Sequence, residues 1–416
     1  MKHWQRNITF FIIGQMISFV GSLLVQYAIF WYINLETQSG VILTISIIAS
    51  FLPLLIFSPI AGVLADKMNR KLLIIIADAS IAIVTLITAI LFSFGDIQIW
   101  MLIVVTGIRG IGQAIHGPAI GAAIPLMVPR EKLMRVQGIQ TGIQSAFNVL
   151  GPIIAAVLIS WFSIGFLFYI DTVTAILGVG TLLFFVTIPK HVNEGKEKTT
   201  SGFQDFVAGI SYVKSHTFLI PFFIYLFFVL ILVSPVAFLS PLQVVRSFET
   251  YGTEVFRLTM VEVSFSLGMT IGAGFVAWWG GFKNRIVTAG IAISIMGFGV
   301  MMLGIVSNFY LYFAFMFIQG IVLPFYNTPM SVMIQEQVDP AYMGRVSSIS
   351  VMINSVGMPI GIAIFGPLAD IMDIEILMVV SGVMMLLFGL LYLINKPMMK
   401  AGVPQKKTKD ASPSLS

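Results

Sequence analysis

The chain predicts an all-α membrane protein: twelve transmembrane helices in two pseudo-symmetric six-helix bundles, with the N- and C-termini cytoplasmic. Three observations predict it. Hydrophobic residues make up 58% of the 416 positions and charged residues only 10%, whereas a soluble domain carries about 25% charged residues, so the solvent for most of this surface is lipid. Apolar runs of roughly 20 residues, the length that crosses a hydrocarbon core of about 30 Å, recur along the whole chain. Lys and Arg are abundant in one loop and nearly absent from the next.

The spans read near residues 8–33, 41–65, 72–94, 98–124, 136–161 and 164–188, and, after a polar break, near 217–241, 256–280, 284–307, 309–335, 343–370 and 374–395. With the N-terminus inside, the cytoplasmic segments hold every Lys and Arg except Arg246 and Arg257 in outside loops and Arg109 within a span. An odd number of spans would destroy that alternation. Met1 to Arg6 is basic, but the apolar run behind it is too long for the h-region of a cleaved signal peptide. No soluble domain is expected before or after the membrane part.

The expected organisation is an N-terminal bundle over 1–188, a cytoplasmic linker over 189–216, a C-terminal bundle over 217–398 and a disordered basic tail over 399–416. Within the linker, Phe203, Phe206, Ile210 and Val213 recur at helical spacing, with Gln204, Asp205 and Lys214 off that face, the pattern of an amphipathic helix lying on the membrane surface. The two halves read as parallel copies. A shift of 211 residues lays Ile115-His-Gly-Pro118 on Tyr326-Asn-Thr-Pro329 and Val128-Pro129 on Asp339-Pro340, and one residue of slippage lays Arg135-Val136 on Arg345-Val346. Repeats of this kind build transporters whose halves rock about a central site.

Composition excludes several classes. There is no cysteine, and the four histidines lie scattered at 3, 116, 191 and 216, so no metal site, cofactor or catalytic constellation is expected. The net charge of +5 sits in short loops rather than on one basic face, which does not suit nucleic acid. A phosphate loop is missing, since Gly195-Lys196 is followed by Glu197. Transport driven by a gradient is what remains, with the lipid bilayer as the expected surroundings.

Between spans 2 and 3 runs Gly62-Val-Leu-Ala-Asp66-Lys67-Met-Asn69-Arg70-Lys71. So short a loop reverses at once, which suits Asn69 because Asn tolerates a left-handed turn. Asp66, at a helix end, can pair with Arg70 or with a neighbouring helix N-terminus, and such a cluster can latch one conformation. This stretch resembles the signature of the major facilitator superfamily, with Asn69 where the family usually has Gly. Arg109 with Gly112 in span 4 resembles that superfamily's second motif, an arginine linked to proton coupling. Gly138, Gly151 and Pro152 in span 5 resemble the motif of its drug:proton antiporters, with Phe147 in place of the middle Gly and Ala155 and Ala156 in place of the last pair. Across nearly its whole length the chain is similar to the macrolide-efflux branch, in stretches such as Arg109-Gly-Ile-Gly-Gln-Ala-Ile-His-Gly-Pro-Ala119 and Tyr342-Met-Gly-Arg-Val346. The resemblance implies export of a small amphipathic substrate in exchange for protons, by a monomer. With no transit or sorting signal in the sequence, a bacterial inner membrane is the expected location. A specific natural product such as a siderophore is the alternative cargo, and a lipid-handling membrane enzyme the alternative class.

Charges inside spans are costly and mark function. Asp78, Arg109, Asp171 and Glu262 are therefore the proton-coupling candidates, with Asp78 or Asp171 exchanging the proton beside Arg109; a fixed ion pair that only orders the helices is the competing reading. Gln15, Gln26, Gln113, His116, Asn327 and Asn354 are polar side chains on apolar helices, able to line a cavity or to bond a neighbouring helix. Pro324 and Pro329 each remove a backbone donor from span 10 and are expected to disturb it.

Overall fold

A computed structural model describes residues 4–95, 97–189, 210–248, 253–339 and 342–403, apart from the side chains of Pro59, Gly62, Val63, Ala65, Asp66, Lys67, Arg130 and Met134. Twelve helices among these residues are long and apolar enough to cross a membrane. They are α1 (Trp4–Thr37), α2 (Gly40–Lys67), α3 (Arg70–Phe94), α4 (Ile99–Met127), α5 (Leu133–Trp161), α6 (Ile164–Phe185), α7 (Leu219–Ser247), α8 (Glu254–Trp279), α9 (Arg285–Ile305), α10 (Phe309–Gln337), α11 (Met343–Leu368) and α12 (Ile374–Ile394). A short α13 (Lys396–Ala401) follows, where the sequence suggested the tail begins; 404–416 lie outside the described residues. No strand occurs among the described residues.

Several helices start where a short polar side chain takes the first free amides. Ser39 caps α2, Asn284 caps α9 and Asn308 caps α10. Asn69 does the same for α3, its Oδ1 accepting from the Lys71 amide at 3.0 Å. Its φ of −66° corrects the left-handed turn expected there: capping requires extended backbone, and the cap wins. The left-handed residue is instead Gly95, which ends α3 at φ 78°. Both Pro324 and Pro329 lie within α10, which runs on unbroken through them. The break comes elsewhere: α7 continues past its expected end at 241 to Ser247 through a π-helical turn at Pro235–Leu239.

The chain divides into two compact units. One comprises 1–197, 237–266 and 362–374, so the N-terminal six helices share a unit with the last part of α7, the first part of α8 and the α11–α12 turn. In it, α1 and α6 approach through glycine: a Cβ at Gly21 would lie 2.8 Å from Asp171 Cα, and one at Gly178 would lie 2.9 Å from the Gly14 carbonyl. Small residues on facing helices are how apolar spans associate without a hydrophobic drive. Lys71 donates to the Leu183 and Val186 carbonyls at 3.1 and 2.8 Å, closing the end of α6.

The other unit comprises 198–236, 267–361 and 375–416. There α9 presents Gly290, Gly297 and Gly304, seven residues apart, to α12, where the Gly382 carbonyl lies 2.7 Å from a Cβ placed at Gly297. Ser381 of α12 donates to the Leu232 carbonyl of α7. Of the expected surface helix, Phe203 and Phe206 lie outside the described residues, while 210–215 are helical. Tyr212 in that segment stacks on Tyr342 with ring centroids 4.4 Å apart and accepts from the Asp339 amide at 3.1 Å.

Candidate transport site

Four helices of the first unit meet at one ion pair. Arg109 of α4 points an Nη1 at Asp171 Oδ2 of α6, 2.6 Å away, with both side chains almost wholly buried. The same nitrogen donates to the Thr85 hydroxyl of α3, and Nη2 reaches the Ser22 carbonyl of α1 at 3.4 Å. Ser22 and Thr85 donate to the two oxygens of Asp171, each at 3.2 Å. Both oxygens of Asp171 are therefore hydrogen-bonded, which is what a buried charge requires.

A second pair lies along the same two helices α3 and α4. His116 Nε2 stands 3.0 Å from Asp78 Oδ1, close enough for an ion pair but without the direction of a hydrogen bond. Asp78 Oδ2 is buried with no hydrogen-bond partner. His116 is 24% exposed and Asp78 only 4%, so the histidine is the side of the pair that water can reach. The two carboxylates thus differ: both oxygens of Asp171 are bonded, whereas Asp78 has one left open.

Within the first unit, a cavity of about 340 Å³ opens beside Arg109. Gln26, Tyr27 and Phe30 of α1, Phe51 of α2, Gln113 of α4, Asn148 of α5 and Glu262 of α8 line it. The π-helical turn of α7 adds Ala237 and Phe238. Local departures from α geometry often sit at such sites. Gln26, Gln113, Arg109 and Glu262 are thereby brought together as the sequence suggested. Gln15 is buried, with neither amide atom bonded, and lies away from the cavity. Asn327 and Asn354 are exposed in the second unit, and Asn354 bonds its own helix at the Ser350 carbonyl, 2.8 Å away.

At the α1–α2 turn stands a cluster the sequence did not single out. Asp370 accepts from the Ser39 hydroxyl at 2.7 Å and from the Gly40 and Val41 amides at 2.7 and 2.9 Å. It therefore caps the N-terminus of α2 from the far end of the chain. Arg246 adds a 2.6 Å bond to Asp370 and also holds the Gln38 and Ala369 carbonyls. Burial works against ionisation of Asp370, but the Val41 and Gly40 amides, the Ser39 hydroxyl and Arg246 outweigh it and hold its pKa at about 2, below the ordinary 3.8. Thr44, one turn into α2, donates to the Gly40 and Ile362 carbonyls at 2.7 and 3.2 Å. The available signal was Arg246, one of two basic residues in loops otherwise free of them.

The defining pattern of the Major Facilitator Superfamily matches residues 11–287 and 248–415. The chain belongs to the Major Facilitator Superfamily. It is 29% identical over 387 residues to macrolide efflux protein A of Streptococcus pyogenes, covering 92% of this chain and 95% of that one. It is 31% identical over 326 residues to the protein of the same name from Enterococcus faecalis, covering 78% and 99%. The staphyloferrin A transporter of Staphylococcus aureus is 23% identical over 393 residues, covering 93% and 96%. Among solved structures, a variant of the nucleoside transporter NupG and an inward-facing bacterial homologue of the human lysosomal transporter Spinster each superpose with a TM-score of 0.70, at 15% and 12% identity. They cover 93% and 97% of this chain, and 99% of each matched chain.

Membership in the superfamily makes this a multi-pass membrane transporter. Of its signature loop, Gly62 and the side chains of Asp66 and Lys67 lie outside the described residues. Arg70 is buried at the start of α3, and Lys71 closes α6 as described. In the antiporter-like helix α5, a Cβ at Gly151 would come within 3.4 Å of the Tyr27 ring, so Gly151 lies against α1; Pro152 is buried, and Gly138 faces open space.

Proposed function

We propose that this transporter is a proton-coupled exporter of small amphipathic drugs of the macrolide kind, working as a monomer by alternating access and without a covalent step. The observation that carries the reading is the cavity beside Arg109: mostly apolar and aromatic walls with a few convergent polar groups and one carboxylate, in a chain similar end to end to macrolide efflux proteins. Such lining suits amphipathic ligands. Both termini face the cytoplasm of a bacterial cell in this reading, so the cluster around Asp370 faces outside. A siderophore remains the second cargo because of the similarity to the staphyloferrin A transporter. A carboxylate-rich chelator would need a free cation in the cavity, however, and Arg109 is held by Asp171.

The proton site in this account is Asp78 with His116. Asp78 keeps Oδ2 unbonded while its Oδ1 stands beside a partly exposed histidine, so a proton can arrive without dismantling a network. The test is accumulation of a radiolabelled macrolide in pump-deficient cells, with a protonophore added partway. Cells carrying the protein are expected to accumulate less until the protonophore restores the level of control cells. Asp78→Asn is expected to remove the protonophore-sensitive part while the protein stays in the membrane. Unchanged accumulation with the native chain would exclude macrolides, and raised accumulation would reverse the direction.

A further inference from the structure

We infer that Glu262 is the counter-charge for a protonated amine on the exported molecule, so that the cavity selects amphipathic cations over neutral molecules of the same shape. The inference deepens the drug-export reading and rests on taking this cavity as the transport site. One basic and one acidic side chain face the cavity, Arg109 and Glu262. The charge of Arg109 is paired with Asp171 at 2.6 Å, and its guanidinium also donates to Thr85 and to the Ser22 carbonyl. Glu262 forms no ion pair among the described residues. The cavity thus carries one half-buried carboxyl group with no ion-pair partner among the described residues, which an arriving cation would complete as a charge pair.

The walls fit the same ligand. Tyr27, Phe30, Phe51 and Phe238 share the cavity with Glu262, and aromatic faces attract cations as well as apolar surface. Gln26 and Gln113 supply amide groups for hydroxyls or carbonyls on the ligand. At about 340 Å³ the space is near the lower end of drug-sized sites, which run from about 300 to 1,000 Å³. It therefore seats the amine-bearing part of a bulky molecule and leaves the remainder to surfaces outside it.

The experiment compares two matched pairs of probes on the purified full chain: a basic macrolide against its N-acylated form, and a lipophilic tertiary amine against the corresponding neutral amide. Binding is expected to favour the amine member about tenfold or more, the scale of one charge-assisted hydrogen bond. E262Q should bring each pair to near-equal affinity, and E262D should recover part of the preference. Amine preference in the second pair but no response to macrolides would sink the macrolide reading and keep this one. Equal binding of both pairs by the native chain, or a preference that survives E262Q, would overturn it. So would loss of all export in a folded E262Q protein, because Glu262 would then carry the proton.

Discussion

Asp370→Asn is expected to raise labelling of the cavity from the outside by roughly tenfold or more. The chain has no cysteine, so Gln26→Cys, in the cavity wall, reports access with an impermeant maleimide and no background. The physical reason is the cap. Asp370 takes two amides of α2, the Ser39 hydroxyl and Arg246 at once. Losing a carboxylate cap costs about 1 kcal/mol and weakening the charged bond to Arg246 a comparable amount, and each 1.4 kcal/mol is tenfold in population. Arg246→Gln should act in the same direction, and the double variant should add little because both residues belong to one network. Acidity does not open this end. A carboxyl depressed from 3.8 to about 2 stabilises the cluster fully above 3.8 and loses that contribution only as pH falls through about 2. Labelling should therefore be flat between neutral and mildly acid pH, and labelling of Asp370→Asn equal to the parent would show that this cap does not hold the outer end closed.

Arg109→Met is expected to cost about 3–5 kcal/mol of stability, because it leaves Asp171 charged, fully buried and without its partner. The protein should fail to accumulate in membranes or melt well below the parent in detergent. Adding Asp171→Leu removes the stranded charge and should recover most of that loss, since a buried pair exchanged for apolar groups of similar size is often neutral. The double variant is also expected to keep proton-driven export, because in this account the pair clamps α1, α3, α4 and α6 while Asp78 and His116 exchange the proton. A double variant that folds normally and exports nothing would transfer the proton to Asp171.

Much of this was legible in the sequence because lipid imposes a length rule that soluble cores lack. Twelve apolar runs became twelve helices, most of their edges shifting by only a few residues. The charges inside spans were legible as a set, since each is costly wherever it points. Their pairing was not: whether Arg109 meets Asp78 or Asp171 depends on the rotation of α3, α4 and α6, which their nearly uniform apolar surfaces do not encode. Asp370 was invisible for another reason. One carboxylate in a loop looks solvated, and only the approach of 370 to 39–41 makes it a helix cap. Asn69 shows a local rule misapplied, because a short reversal can be made by a capping residue with ordinary backbone as well as by a left-handed one. The π turn at Pro235–Leu239 has no sequence mark beyond Pro235, which is equally at home in several helix positions.

The most direct test of gradient-driven drug export uses the purified chain alone in sealed proteoliposomes loaded with a pH-sensitive dye. With an imposed proton gradient, a radiolabelled macrolide should move against the proton flow, and adding the macrolide without a gradient should itself shift the internal pH. Both signals should vanish with a protonophore. Macrolide flux that ignores the gradient, with no proton movement in return, would contradict the account.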